Sequence, residues 1–453
     1  MKLAPTSLPV LMAAATLVAC GPSTAETEPG RETGSCIEDE CLGDLVCVAD
    51  MCVDPNAGAT DTGTPSVDDS GTGSGTVPGS DETQGEPETL DSVSLLVVLD
   101  NSGTMGEEQG TLSFSMRAVP AALDALGVNW RMGITTTDNG NPWCQGTGPE
   151  GGALRLTSCR SRPAEFVFNG AMDIDAFEIC EVPCPPEWET IEIEPSGIFD
   201  DPTPAVRPWV ESMGGQTNLP EGLFYEDAVE CLLPQGINGC GFESPLESMR
   251  SAIRRAQTPG DPNYGFLPPG SLLVVLIVTD EVDCSYNPSH ETIFLPEGER
   301  VFWSDPDAAA PTSAVCWNAG VACDGADCRP ENFDPSGGVV DPATAENDAV
   351  LYPLTRYSNE LAALDDAVMV TINGIQPGGT VQYEPGTDQD FLRNFGIGAG
   401  CTSSAGPAVP PVRIRQLAAT VNGDVASNQV SICQAEYDDA VEAIVAAVQQ
   451  RFP

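Results

Sequence analysis

Asp100, Ser102 and Thr104 stand at alternate positions directly after the apolar run Leu95-Leu96-Val97-Val98-Leu99. Such a run fits a strand buried on both faces. A tight loop after the strand can turn three alternate side chains to one point. One carboxylate and two hydroxyls make a hard-oxygen set, suited to Mg²⁺, Ca²⁺ or Mn²⁺. The competing use of Asp100 and Ser102 is to cap the helix that follows. A second apolar strand, Leu272–Thr279, runs into Asp280, with Glu281 and Asp283 behind it. In open α/β sheets, sites form at the carboxyl ends of strands, so Asp100 and Asp280 belong at one edge. Glu281 and Asp283 are expected to be solvated. Asp138, just past the strand Arg131–Thr137, is expected to be a loop residue at the same edge.

The elements that must position these residues alternate between strand and helix. Val93–Leu99 is the first strand. Glu107–Leu126 reads as a helix with Met116, Val119, Leu123 and Leu126 on one face, although Pro120 interrupts it. Arg131–Thr137 is a strand. Pro220–Leu233 and Pro245–Gln257 are helices, and Leu272–Thr279 is the most apolar and central strand. Ala345–Leu364 is a helix, Val368–Ile375 a strand and Glu436–Arg451 a closing helix. This alternation predicts an α/β fold, a largely parallel sheet flanked by helices. Two loop-rich stretches interrupt it, near residues 139–210 and 284–345. The first contains the short strands Glu165–Phe168 and Thr190–Ile193.

Asp100-Asn101-Ser102-Gly103-Thr104 resembles the Asp-x-Ser-x-Ser motif of von Willebrand factor A (VWA) domains, with Thr in the last position. The resemblance covers residues 92–453 and implies a Rossmann-like domain with a metal-ion-dependent adhesion site. Ile277-Val278-Thr279-Asp280 is similar to the VWA segment whose Asp completes that site. The remaining ligand in the family comes from a loop that opens a helix, commonly as Gly-x-Thr. Gly241-Phe242-Glu243-Ser244-Pro245-Leu246 is the match, with Pro245 placed for a helix start. Glu243 stands where Thr is expected, similar to the integrin β-type variation, with Ser244 and Thr217 as fallbacks. The resemblance thus implies a divalent cation on Asp100, Ser102, Thr104, Glu243 and Asp280. One open coordination position would take a Glu or Asp of a protein partner.

Charge and cysteines bound the compartment. The chain has 18 basic and 68 acidic residues, a net charge of −50. It lacks the basic patches that nucleic-acid phosphates require. Lys2 precedes the apolar stretch Pro9–Leu17, which reads as a secretory signal over residues 1–19. Leu17-Val18-Ala19-Cys20 resembles the bacterial lipobox, which implies lipidation of Cys20 and an outer-membrane anchor, the alternative being ordinary cleavage. Setting Cys20 aside leaves 16 of the 17 cysteines, an even number suited to disulfides in an oxidising compartment. After a polar leader (20–35), Cys36, Cys41, Cys47 and Cys52 form a small cysteine-rich module (36–53). An acidic Gly/Thr/Ser/Pro linker (54–91) follows, too polar to fold. The other twelve cysteines fall within 92–453. Cys231 and Cys240 are close in sequence and are expected to pair.

Enzyme motifs are absent. The single histidine, His290, has neither nucleophile elbow nor zinc motif beside it. Three functions stay open at this point. The first is cation-dependent surface adhesion, the second a disulfide-locked scaffold with a stabilising metal, and the third a hydrolase of surface polymers.

Overall fold

The computed structural model describes the backbone of residues 46–48 and 51–53, and residues 92–170, 173–384, 386–423 and 428–453 in full. The expectations for the signal segment, Cys20, the leader and the linker lie outside these residues. The chain divides into two units, Met1–Gln84 and Gly85–Pro453. In the first, Val46–Val48 pairs antiparallel with Met51–Val53, placing Cys47 opposite Cys52 in register.

The second unit is built on a seven-stranded sheet: β1 (Ser92–Leu99), β2 (Asn129–Thr136), β3 (Val210–Met213), β4 (Gln216–Thr217), β5 (Leu272–Val278), β6 (Asp366–Asn373) and β7 (Gln429–Ser431). The spatial order is β7-β6-β5-β1-β2-β3-β4. The five strands from β7 to β2 are parallel, and β3 and β4 add an antiparallel edge. Every residue of β1 and β5 is buried, as expected of parallel strands covered on both faces.

Alternate side chains of β1 enter opposite cores, which fixes its register. Leu95, Val97 and Leu99 pack with α1 (Gly106–Met116), α2 (Val119–Leu126), α3 (Tyr225–Leu232) and α7 (Asp438–Arg451). Leu96 and Val98 pack with α4 (Pro245–Gln257), α5 (Leu354–Ala362) and α6 (Val412–Asn422). Among the described residues no helix is long and apolar enough to cross a membrane.

Several expectations are corrected. The helix foreseen over 107–126 is two helices. Pro120 has no N–H to offer a preceding turn, and it sits instead in the first turn of α2. The helix foreseen over 345–364 likewise breaks before Pro353 into Ala345–Asp348 and α5. That foreseen over 220–233 is confined to α3. Thr190–Ile193 is not a strand. Glu165 and Phe166 belong to a 3-10 turn, after which Val167–Asn169 pairs with Asp173–Asp175. The stretch near 284–345 packs into a third core, in which Phe294, Trp303 and Trp317 meet Cys284 and Cys316 together with Phe242, Ile397 and Val409 from outside the stretch.

Cys231 and Cys240 do not pair. Cys231 bonds Cys184 and Cys240 bonds Cys144, so each ties the stretch near 139–210 to the body of the domain. The other bridges are Cys159–Cys180, Cys284–Cys316, Cys323–Cys328 and Cys401–Cys433. All twelve cysteines from Cys144 to Cys433 are thereby used.

Candidate metal centre

The carboxyl ends of β1, β2 and β5 lie side by side because the three strands pair in parallel. Each runs straight into a polar loop: Asp100 after β1, Thr137 and Asp138 after β2, and Thr279 and Asp280 after β5. The backbone N–H of Asp100 donates to the carbonyl of Val278 (2.9 Å), which locks the first loop to the third.

Asp100 is fully buried. One carboxylate oxygen accepts from the backbone N–H of Ser102 (2.8 Å) and the other from the hydroxyl of Thr279 (2.5 Å). The hydroxyls of Ser102 and Thr104 stand 3.5 Å apart. Ser102 is buried, whereas Thr104 is exposed and forms the lip of the site. Capping does not account for this arrangement. Met105, not Asp100 or Ser102, flanks α1, and no side chain caps that helix.

Glu243 is fully buried between the loops after β2 and β5. Its Oε2 accepts from the hydroxyl of Thr137, and its Oε1 has no partner. The backbone around it is held at both ends. Ser244 N–H donates to Thr137 O (2.9 Å), and Cys284 N–H donates to Glu243 O (2.6 Å). Asp280 is 7% exposed, and its Oδ1 is also orphaned.

The structure therefore brings Asp100, Ser102, Thr104, Glu243 and Asp280 to one edge, and it removes both fallbacks. The Ser244 hydroxyl donates to the carbonyl of Cys284 (2.9 Å). Thr217 pairs through Ser212 with Trp130, at the opposite end of β2. One further expectation is corrected. Glu281 and Asp283 are not solvated: they are 8% and 2% exposed. Asp283 turns away from the site and pairs with Arg413 (2.8 Å) beneath the start of α4. Asp138 is a loop residue at this edge, as expected, and it is buried. It accepts from the N–H groups of Gly140 (3.0 Å) and Cys240 (3.2 Å).

Gln109 was not foreseen as a site residue. Its amide donates to the carbonyls of Asp100 (2.8 Å) and Gly236 (2.7 Å) and accepts from Gln235 N–H (2.9 Å). It staples the Asp100 loop to the segment leading to Glu243. A polar residue on the inward face of α1 was the only sequence signal for it.

Burial dominates the electrostatics. It raises the pKa values of Asp100, Glu243 and Asp280, and the Asp100 charge adds to the rise at the other two. Glu281 is pushed up to about 8, mainly by burial and then by Asp100. Glu108, on α1, is pushed up to about 7 by burial, and one of its oxygens has no partner. The charges acting most on Glu243 are Asp100, Glu281 and Asp138, all of one sign. Buried like charges with orphaned oxygens are expensive without a counter-ion.

The donor set is chemically that of a hard divalent cation. Among the described residues, the three thiol or carboxylate groups that converge within 4.8 Å are Cys159, Cys180 and Cys184. Those belong to two neighbouring disulfides. No three carboxylates of the loop cluster converge within that distance.

No family model matches the chain. No curated protein matches it by sequence. The pilus adhesin SpaC from Lactobacillus rhamnosus GG, in its open conformation, is 12% identical over 81% of this chain and 30% of that chain, with a TM-score of 0.32. The pilus adhesin RrgA from Streptococcus pneumoniae is 10% identical over 81% of this chain and 45% of that chain, with a TM-score of 0.29. The chain spans less than half the length of either structure.

Proposed function

We propose that this chain is an exported, lipid-anchored surface binding protein built on a VWA-type domain, with no reaction of its own. Asp100, Ser102, Thr104, Glu243 and Asp280 hold Mg²⁺, Ca²⁺ or Mn²⁺. The cation's open face lies towards Thr104, where it takes a carboxylate of a Glu or Asp from a protein partner. The observation that carries the reading is the pair of orphaned buried oxygens, Glu243 Oε1 and Asp280 Oδ1, beside Asp100. A cation would satisfy both and offset the buried like charge.

The second reading is a purely stabilising ion in a surface scaffold. It is favoured by the depth of the site, since only Thr104 of the five residues is exposed. The acid-rich ligand set also leaves little positive charge to attract a partner's carboxylate.

Calorimetry on chelator-stripped protein with each cation tests the site. Saturable binding is expected, and Asp100→Ala should abolish it. An unchanged isotherm in that variant would remove the site. Partner capture from envelope extract, with and without EDTA, separates the two readings. Capture lost while circular dichroism stays native supports adhesion. Capture that survives supports the scaffold.

A further inference from the structure

The inserted segment between residues 139 and 210 walls a groove of about 700 Å³ against α1, beginning at Gly103 and Thr104. Phe114, Ile174, Ile179 and Val182 supply its apolar surface. Phe114 is 52% and Val182 74% exposed, a strong apolar display for a chain of this charge. Glu107, Asp175 and Glu178 stand exposed on the rim. No described Lys or Arg lines the groove. The neighbouring Arg117 lies over the Phe114 ring and is already paired with Glu230 (3.3 Å).

We propose that this groove docks a segment of a partner protein in which apolar side chains are interspersed with Arg or Lys. The apolar floor rewards burial of the first, and the acidic rim, whose Glu107, Asp175 and Glu178 make no ion pair among the described residues, selects the second. A second copy of this chain is the poorer occupant. Its net charge of −50 makes two copies repel, and only 18 of its residues are basic. The groove is separate from the cation ligands apart from Thr104 at its mouth, so docking does not require an ion.

The test uses the full chain in EDTA and two fluorescent peptides of about 12 residues, alternating Leu with Arg or Leu with Glu, long enough to span roughly 40 Å. Fluorescence anisotropy at about 0.15 M salt reads the binding. The Leu–Arg peptide should bind and the Leu–Glu peptide should not. Val182→Asp makes the rim more acidic while spoiling the floor. Unspecific attraction would tighten in it, whereas groove binding should weaken about tenfold, as for loss of one buried apolar side chain. The double reversal Glu107→Arg with Glu178→Arg should exchange the two peptides' affinities. The distant reversal Glu297→Arg with Glu299→Arg should leave both unchanged. Equal binding of the two peptides, or Val182→Asp binding as tightly as the parent, overturns the proposal. So does self-association that Val182→Asp abolishes, without peptide binding, which would assign the groove to a second copy.

Discussion

The ring of Phe168 lies directly on the backbone of Gly103: a methyl group on that glycine would stand 2.9 Å from it. Gly103 sits between the two hydroxyl residues of the candidate site. Ala176 makes the same approach to Gly106, also at 2.9 Å. The inserted segment is thus packed against the loop that carries Ser102 and Thr104, and side chains there would push the two apart.

Gly103→Val is therefore expected to displace the loop, costing about 1–3 kcal/mol of stability from overpacking. It should also weaken cation binding in calorimetry. Phe168→Ala in the same chain should recover part of both losses. Additive, uncompensated effects in the double variant would show that the contact does not set the loop.

Asp283 and Arg413 form a buried pair, their side chains 0% and 3% exposed. Arg413 also donates to the carbonyl of Tyr352 (2.7 Å). Arg413→Met leaves a buried carboxylate unpaired and should destabilise by about 3–5 kcal/mol in urea titrations. Asp283→Asn with Arg413→Met should cost less than Arg413→Met alone, because no bare charge is left. Equal losses would place the cost in packing instead.

Burial raises Glu108 to about 7 and Glu281 to about 8, well above the ordinary carboxyl range. Such groups bind more protons folded than unfolded. The stability they contribute is complete below the ordinary pKa and is lost as pH rises through the raised one. In EDTA the melting temperature should therefore fall between pH 5 and pH 8.5. Glu108→Gln should remove part of that slope, on the order of 3 kcal/mol for a shift of this size. A flat profile in the parent, or an unchanged slope in the variant, would contradict the assignment.

Peptide mapping of unreduced protein should recover Cys184 joined to Cys231 and Cys144 joined to Cys240, with no Cys231–Cys240 species. Cys184→Ser with Cys231→Ser opens a loop closed over 47 residues and should cost about 2–4 kcal/mol. It should also loosen the groove wall, reducing Leu–Arg peptide binding more than cation binding.

The central strands and their acidic ends were legible because a run such as Leu272–Val278, buried along its whole length, leaves an unbroken apolar signature. Asp100 and Asp280 follow from it, since a parallel sheet must deliver both to one edge. Short edge strands were not legible: Gln216–Thr217 and Gln429–Ser431 are polar or brief and gain their conformation from a neighbour. The disulfide partners of Cys231 and Cys240 were hidden for a related reason. Proximity along the chain favoured each other, while the fold brings Cys184 and Cys144 closer in space. Glu281 and Asp283 misled because carboxylates are ordinarily solvated. Here one is buried within the acidic cluster and the other has Arg413.

The hydrogen bond from Thr279 to Asp100 joins residues 179 apart in sequence, and β1 pairs with β5 across the same gap. Contacts of such range close late and slowly during folding. The acidic cluster therefore does not exist until most of the chain is in place. An ion held by the finished cluster would not nucleate the sheet; it would act as a latch. Its kinetic mark should be slower unfolding with an unaltered refolding rate, because it stabilises only what forms after the barrier.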